Sequence, residues 1–77
     1  MLTEAVEHLI CNIVDFPDDV SVKSYQNSRG ELIRVRVNSE DIGRVIGRHG
    51  RTATAIRTVI QAIADHSVRV DIMDSRR

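Results

Sequence analysis

The segment Ile46–Arg51, with the sequence Ile-Gly-Arg-His-Gly-Arg, holds the residues of this chain that are best suited by type and spacing to chemistry. Its two glycines bracket Arg48 and His49, and a glycine lets two backbones approach closely because it has no Cβ. Arginines at 44, 48, 51 and 57, with no acidic residue between them, give a local charge of +4. The segment also opens a helical pattern, and the first N–H groups of a helix are unpaired and attract anions. These features predict a clamp for a phosphate backbone.

Each residue inside the loop has an expected role and a simpler alternative. Gly47 and Gly50 are assigned to close backbone approach, and the alternative is ordinary helix punctuation. Arg48 and His49 are expected to face phosphates. Arginine presents a fixed fork of donors, and histidine can donate a hydrogen bond and gain charge beside an anion. Solvated loop side chains are the alternative for this pair.

The flanking arginines are expected to extend the positive field. Arg44 and Arg51 lie on either side of the loop, although either could instead pair with Glu40 or Asp41. Arg57 lies at the edge of the apolar stripe of the following helix, which makes it a candidate for the rim of a groove. A structural ion pair is its alternative.

The charge of the whole chain is unevenly distributed. The formal net charge is zero, yet residues 1–19 hold five acidic residues and no lysine or arginine. Residues 20–37 carry a net +3 and residues 38–64 a net +2. Because a local patch governs binding to polyanions more than the total does, nucleic acid stays a plausible partner. A solvated charged face is the alternative.

Several function classes find no support in the sequence. The single cysteine, Cys11, cannot form an intrachain disulfide, and no apolar run is long enough to cross a membrane. His8 and Cys11 are three residues apart, but no further ligand spacing completes a zinc site. Neither a Walker loop nor a nucleophile–base spacing is present. We therefore expect a cytoplasmic protein that is not an enzyme, with no metal, cofactor, membrane contact or small-molecule substrate.

Hydrophobic periodicity predicts the elements that hold the loop. Apolar residues at helical spacing predict helices over 3–14 and 51–64, with a short helix between Asn38 or Ser39 and Gly47. Alternation predicts strands over 20–25, 31–37 and 68–73, the first two joined by a turn at 27–30. Thr3 is expected to cap the first helix and Pro17 to stop it. Asn38 and Asp41 have the spacing of a capping box.

The resulting order, α-β-β-α-α-β, requires the apolar strand faces and helix stripes to bury one another. The expected architecture is a three-stranded sheet with three helices packed on one of its faces. Seventy-seven residues suffice for one domain.

The glycine segment and the order of elements together resemble a known family. Ile46-Gly47-Arg48-His49-Gly50 between two short helices resembles the I-G-x-x-G core of the KH domain, and the element order resembles its type II, mainly prokaryotic, form. The resemblance extends over almost the whole chain and implies an α+β fold with a mixed sheet and a single KH domain over 1–77. One position departs from the pattern. Ala53 occupies a site where many KH domains have a bulky aliphatic residue, which predicts a wider groove or weaker base contact.

The resemblance implies a single-stranded RNA-binding protein. A KH groove takes about four nucleotides, with the glycine loop on the backbone and the bases on an apolar floor. Ile46 and Ile56 are candidates for that floor or for the core, and Val68 and Val70 of the bordering strand are weaker candidates. The expected RNA-binding residues are Arg44, Ile46, Gly47, Arg48, His49, Gly50, Arg51 and Arg57.

The resemblance also implies protein partners. One short site binds weakly, so a homodimer or a larger multidomain KH-containing partner is expected, together with a role in post-transcriptional control of cell shape or as an RNA chaperone. The competing hypothesis is a protein-interaction module with vestigial RNA binding. In that case Ile42, Val45 and Ile46 could form a self-complementary contact.

Overall fold

A computed structural model describes residues 2–75 of the chain. The helices are α1 (Leu2–Cys11), α2 (Ile42–Ile46) and α3 (Arg51–Ile63), and the strands are β1 (Ser21–Asn27), β2 (Gly30–Val37) and β3 (Val68–Asp74). Short 3-10 turns lie at Pro17–Asp19, Ser39–Asp41 and Arg48–Gly50. The predicted order of helices and strands is confirmed.

The three strands form one mixed sheet with β2 in the centre. β1 and β2 are an antiparallel hairpin in which Asn27 lies opposite Gly30, so the turn consists of the two residues between them. β3 returns from α3 and pairs with β2 in parallel. This arrangement leaves β3 at one edge of the sheet, next to the helices that follow β2.

The core lies between one face of the sheet and the three helices. Alternate residues of β2 are buried on that face, as the sequence predicts for a strand covered on one side. The buried hydrophobic cluster comprises Val6, Ile10, Val14, Ile33, Val35, Val37, Val45, Ile56, Ile60 and Val70. All three helices contribute to this cluster, so the predicted two-layer α+β fold is confirmed.

The first helix differs from its prediction at both ends. Thr3 lies inside α1 and is not its cap, because the helix already includes Leu2. α1 ends at Cys11, before residue 14, because the backbone tightens there: the Ile13 amide donates to the Ile10 carbonyl (2.9 Å), three residues earlier. Pro17 therefore begins a separate 3-10 turn and does not stop the helix.

The predicted capping box before α2 forms only in part. The Asn38 side chain does cap, since it accepts a hydrogen bond from the Glu40 amide at 2.8 Å. The Asp41 side chain does not return a bond to Asn38, although the Asp41 amide donates to the Asn38 carbonyl (2.8 Å). It is 1% exposed and accepts the amides of Asp15 (3.0 Å) and Phe16 (3.1 Å). This carboxylate thus ties the segment after α1 to the start of α2.

No helix among residues 2–75 has both the length and the apolar character that crossing a membrane requires.

Candidate nucleic-acid interface

The turn between α2 and α3 has an unusual backbone. Gly47 has φ +78°, Gly50 has φ +73°, and His49 between them has φ +57°. Among the described residues, His49 is the one non-glycine position with positive φ. L-residues rarely adopt this conformation, so the segment 47–50, hereafter the glycine loop, is held out of the helical path.

The two loop glycines serve different purposes. A Cβ on Gly47 would lie 2.2 Å from Thr52 Oγ1 and 2.9 Å from the Thr52 backbone nitrogen, so the chain folds back on itself at this point. A Cβ on Gly50 would meet no heavy atom within 4 Å. Gly47 is therefore required by packing inside the loop, whereas the backbone at Gly50 faces open space that a second chain could enter.

Several backbone amides that were expected to be free to bind an anion donate instead to carbonyls of the turn between α2 and α3. The amide of Gly47 donates to Gly43 O (2.8 Å), that of Gly50 to Gly47 O (3.1 Å), and that of Arg51 to Arg48 O. The expectation that the first N–H groups of α3 are unpaired is thus wrong for Arg51. Recognition of a phosphate must therefore depend more on side chains than on these backbone amides.

The basic side chains of the loop and of the residue after it are free to contact a phosphate. Arg48, His49 and Arg51 are exposed, and none of them makes a side-chain hydrogen bond or an ion pair with any residue in 2–75. No side chain of residues 2–75 caps the N-terminus of α3, so its partial positive charge also faces this region. The structure therefore brings together three uncommitted basic side chains at one helix end.

Arg44, in contrast, is engaged in an ion pair. Its guanidinium lies 2.9 Å from the carboxylate of Asp15, so neither Glu40 nor Asp41, the two expected partners, pairs with it. Both side chains of the pair are more than half exposed, and such surface pairs contribute little to stability. The Asp15 carboxylate nevertheless lowers the local positive potential that Arg44 was expected to add.

Arg57 lies where α3 meets the edge of the sheet. Its Nε donates to the carbonyl of Val70 in β3 at 3.4 Å, so its partner is a backbone oxygen and not the acidic side chain of an ion pair. It lines a shallow groove between α3 and β3 together with Thr54, Thr58, Gln61, Ala62 and Val68. Arg57 therefore lies at the edge of a groove, and its role at the rim of an RNA-binding groove stays a prediction.

The apolar candidates separate into core and surface. Ile56 is 3% exposed and belongs to the core with Val70, whereas Ile46 is only half-buried beside the loop. Ala53 is 2% exposed, so its neighbours cover it, and the wider groove or weaker base contact expected from its small side chain stays a prediction. Of the two isoleucines considered for the floor, Ile46 alone keeps a surface position.

A further apolar depression lies where α2 meets β3, and sequence reasoning missed it. Its lining includes Ile42 and Ile72, together with Ser39, Met73 and Asp74. The alternation of β3 placed Ile72 on the helix side, but only the parallel pairing of β3 with β2 brings it to α2. The self-contact predicted from Ile42, Val45 and Ile46 cannot form as stated, because Val45 is fully buried.

Across residues 2–75, no three histidine, cysteine, aspartate or glutamate side chains are placed to hold one metal ion.

Comparison with known proteins agrees with this geometry. The family model described as "KhpA/KhpB, KH domain" matches residues 3–72. "RNA-binding protein KhpA" of Streptomyces coelicolor is 57% identical over 74 residues, covering 96% of this chain and 94% of that protein. The protein of the same name from Mycobacterium tuberculosis is 48% identical (97% and 94% covered), and that from Halalkalibacterium halodurans 43% (90% and 95%). No solved structure matches significantly. The chain belongs to the KhpA/KhpB KH-domain family.

Proposed function

We propose that this chain is a single KH domain that binds single-stranded RNA through the glycine loop and the surfaces beside it. The observation that carries the proposal is the loop itself. It is held in positive-φ conformations, is open at Gly50, and is surrounded by the uncommitted side chains of Arg48, His49 and Arg51. Relatives that share about half of its residues are named RNA-binding proteins.

The proposed mechanism divides the work between two kinds of contact. The RNA backbone passes the open side of Gly50, where the arginines and His49 neutralise its phosphates. Bases then lie toward Ile46 and the groove between α3 and β3, with Arg57 at the rim. Because few aromatic residues are present, we expect weak contacts to bases and modest sequence preference at this site. Post-transcriptional control or RNA chaperoning in the cytoplasm would be consistent with such binding.

The test is fluorescence anisotropy with a labelled, unstructured RNA of about five nucleotides. The variant is Arg48→Asp/His49→Asp, which keeps both glycines. Aspartate tolerates the positive φ of position 49 better than most residues. The matched control is Ser28→Asp/Arg29→Asp, which makes the same change in formal charge at two adjacent exposed positions of the hairpin turn. Thermal unfolding verifies that both variants fold.

The proposal expects the loop variant to lose at least tenfold in affinity while the control stays within about twofold of the natural chain. Equal losses in both variants would mean that total charge, not the loop, holds the RNA. Absence of binding by the natural chain up to high micromolar concentration would contradict the proposal outright.

A second candidate function, protein contact, is favoured by a different surface. Val59 is 46% exposed and Ile63 is 60% exposed on the outer side of α3. They lie beside an apolar depression against α1 that Ala5, Leu9 and Ile60 also line. We propose that this α3 face is the surface through which the chain pairs with a second copy or with a larger KH-containing protein.

A further inference from the structure

The face of the sheet that the helices leave uncovered carries a concentration of basic side chains. Strand pairing places Arg34 and Arg36 of β2 on that face, because Ile33, Val35 and Val37 point into the core. Register then adds Lys23 from β1, opposite Arg34, and Arg69 from β3, opposite Leu32. We call the surface formed by Lys23, Tyr25, Leu32, Arg34, Arg36, Arg69, Asp71 and Met73 the open face.

The positive charge of the open face is largely uncompensated. It has four basic residues and one acidic residue, Asp71. None of the four basic side chains forms a salt bridge with any residue in 2–75. Like charges on adjacent strands repel one another, so this arrangement is unfavourable for the isolated fold. A polyanionic ligand would relieve the repulsion.

The aromatic ring of Tyr25 lies among these basic side chains. Tyr25 is 47% exposed, and the guanidinium of Arg34 lies over its ring at 5.4 Å from the centroid. Single-strand binders combine basic grooves with exposed rings because bases stack on the ring while phosphates meet the cations. An acidic protein segment would use the charges of the open face but would have no particular use for the ring. The combination therefore favours nucleic acid.

The open face is continuous with the proposed groove. β3 is an edge strand, and the Val70 carbonyl meets Arg57 at the groove. Its neighbours Arg69 and Asp71 are exposed and point to the opposite side of the sheet. A chain leaving the groove thus reaches the open face by crossing one strand.

We propose that the open face is a second RNA-binding surface, which takes the sugar-phosphate backbone and an unstacked base of an RNA strand that extends beyond the groove. This inference rests on the proposed function and deepens it. It predicts that the chain binds RNA longer than the short KH footprint more tightly, and that the gain depends on Lys23, Arg36, Arg69 and Tyr25.

The test compares labelled RNAs of about five and about fifteen nucleotides. The variant Lys23→Gln/Arg36→Gln/Arg69→Gln leaves the glycine loop and the Arg34–Tyr25 stack intact. We expect its affinity for the long RNA to fall at least tenfold, and the slope of log affinity against log salt to become shallower by about 2, while binding of the short RNA stays unchanged. Tyr25→Leu should weaken long-RNA binding by about tenfold at constant salt slope. Retained binding of the short RNA also shows that each variant is folded.

Several outcomes would overturn the inference. One is equal affinity of the natural chain for long and short RNA. Another is an equal loss for both RNAs in the triple variant, which would indicate only a general charge effect. Amide NMR shifts on β1 and β2 that polyglutamate reproduces as strongly as long RNA would assign the open face to an acidic protein segment instead. If the natural chain binds neither RNA, the proposed function fails as well; short-RNA binding that depends on Arg48 and His49 separates the two failures.

Discussion

At the glycine loop, the effect of one added methyl group depends on what lies around the α-carbon. Gly47→Ala places a Cβ against Thr52, including its backbone nitrogen, at a φ of +78°. We expect it to lower the free energy of unfolding by at least about 3 kcal/mol, because both strain and overlap must be relieved. Gly50→Ala meets only the cost of its positive φ, about 1–2 kcal/mol. Urea denaturation of both variants measures the difference.

Gly43 supplies the control for this series. It lies inside α2, a Cβ there would meet nothing within 4 Å, and its φ is not positive. Gly43→Ala should therefore leave stability unchanged or raise it by about 0.5–1 kcal/mol through reduced entropy of the unfolded chain. Equal destabilisation by the three substitutions would refute the division of labour between the loop glycines.

Single residues also mark where prediction from sequence stops. The types and spacing at 46–51 are local, so the loop was predictable without knowledge of the fold. The partners of Asp41 and Arg44 were not predictable, because these partners, Asp15 and Phe16, lie in the segment after α1, more than 20 residues earlier in the chain. A capping-box spacing is a local pattern, and at Asp41 a tertiary contact replaced it.

At the scale of elements, the connection from α3 to β3 is held by side chains that periodicity cannot reveal. The Gln61 amide donates to His66 O (2.8 Å), and its carbonyl oxygen accepts from the Val68 amide (3.1 Å). His66 bridges two carboxylates, those of Asp65 (2.9 Å) and Glu31 (2.7 Å). Glu31 is buried near the start of β2 and also accepts from the Ser24 hydroxyl. The connection is therefore tied to the start of the sheet.

This cluster makes stability depend on pH. Hydrogen bonds to the Asp65 carboxylate and, next in effect, to the Glu31 carboxylate raise the pKa of His66 above its ordinary value. The Ser24 hydroxyl and His66 lower the pKa of Glu31, and His66 lowers the pKa of Asp65. The histidine contribution is thus complete below the unfolded pKa of about 6.5 and is lost as pH rises through the raised value. The carboxylate contributions are complete above about 4.5 and are lost on acidification.

We expect the stability of the natural chain to fall as pH rises above about 6.5, and His66→Gln to remove that fall. Urea midpoints measured across that range test the prediction. His8→Gln is the matched control, since the exposed His8 side chain has no polar partner among residues 2–75 and its loss should leave the pH profile in place. A profile that persists in His66→Gln would locate the titration elsewhere.

The elements themselves were more predictable than their ends. Helical and alternating patterns gave all three helices and all three strands, because burial on one face imposes those periods on the sequence. The predicted end of α1 was wrong by three residues, since the backbone tightens to an Ile13–Ile10 hydrogen bond after Cys11 while Val14 still reaches the core. Apolar spacing reports burial, and burial continues past the last helical residue.

For the molecule as a whole, charges that are separate along the chain meet in space. Asp19 accepts a hydrogen bond from the Asn38 side chain (2.8 Å) and Asp15 pairs with Arg44, so the acidic segment 15–19 lies against the start of α2. The uncommitted basic residues lie beyond it, at the glycine loop and on the open face. The outer side of α3 is different again, because Val59 and Ile63 expose apolar surface there.

These surfaces predict opposite responses to salt. Short RNA held by about three phosphate contacts should bind about 20-fold more weakly when salt is raised fourfold, since each contact contributes a slope of about 0.7 for single strands. Self-association through the α3 face should hardly change, because burial of apolar area does not depend on counterion release. Sedimentation at both salt concentrations, beside anisotropy on the same samples, measures the two responses together.

Val59→Glu should abolish this association, because a carboxylate buried in an apolar contact loses its hydration without gaining a partner. Ser28→Glu introduces the same charge at an exposed position of the hairpin turn, away from α3, and should leave association intact. Both variants should bind short RNA as the natural chain does, since neither residue belongs to the glycine loop or lines the groove between α3 and β3. A natural chain that stays monomeric at about 100 μM, or a dimer indifferent to Val59→Glu, would exclude the α3 face as the self-pairing surface. Loss of RNA binding together with the dimer would instead show that two loops must act on one strand, which gains affinity by multivalency.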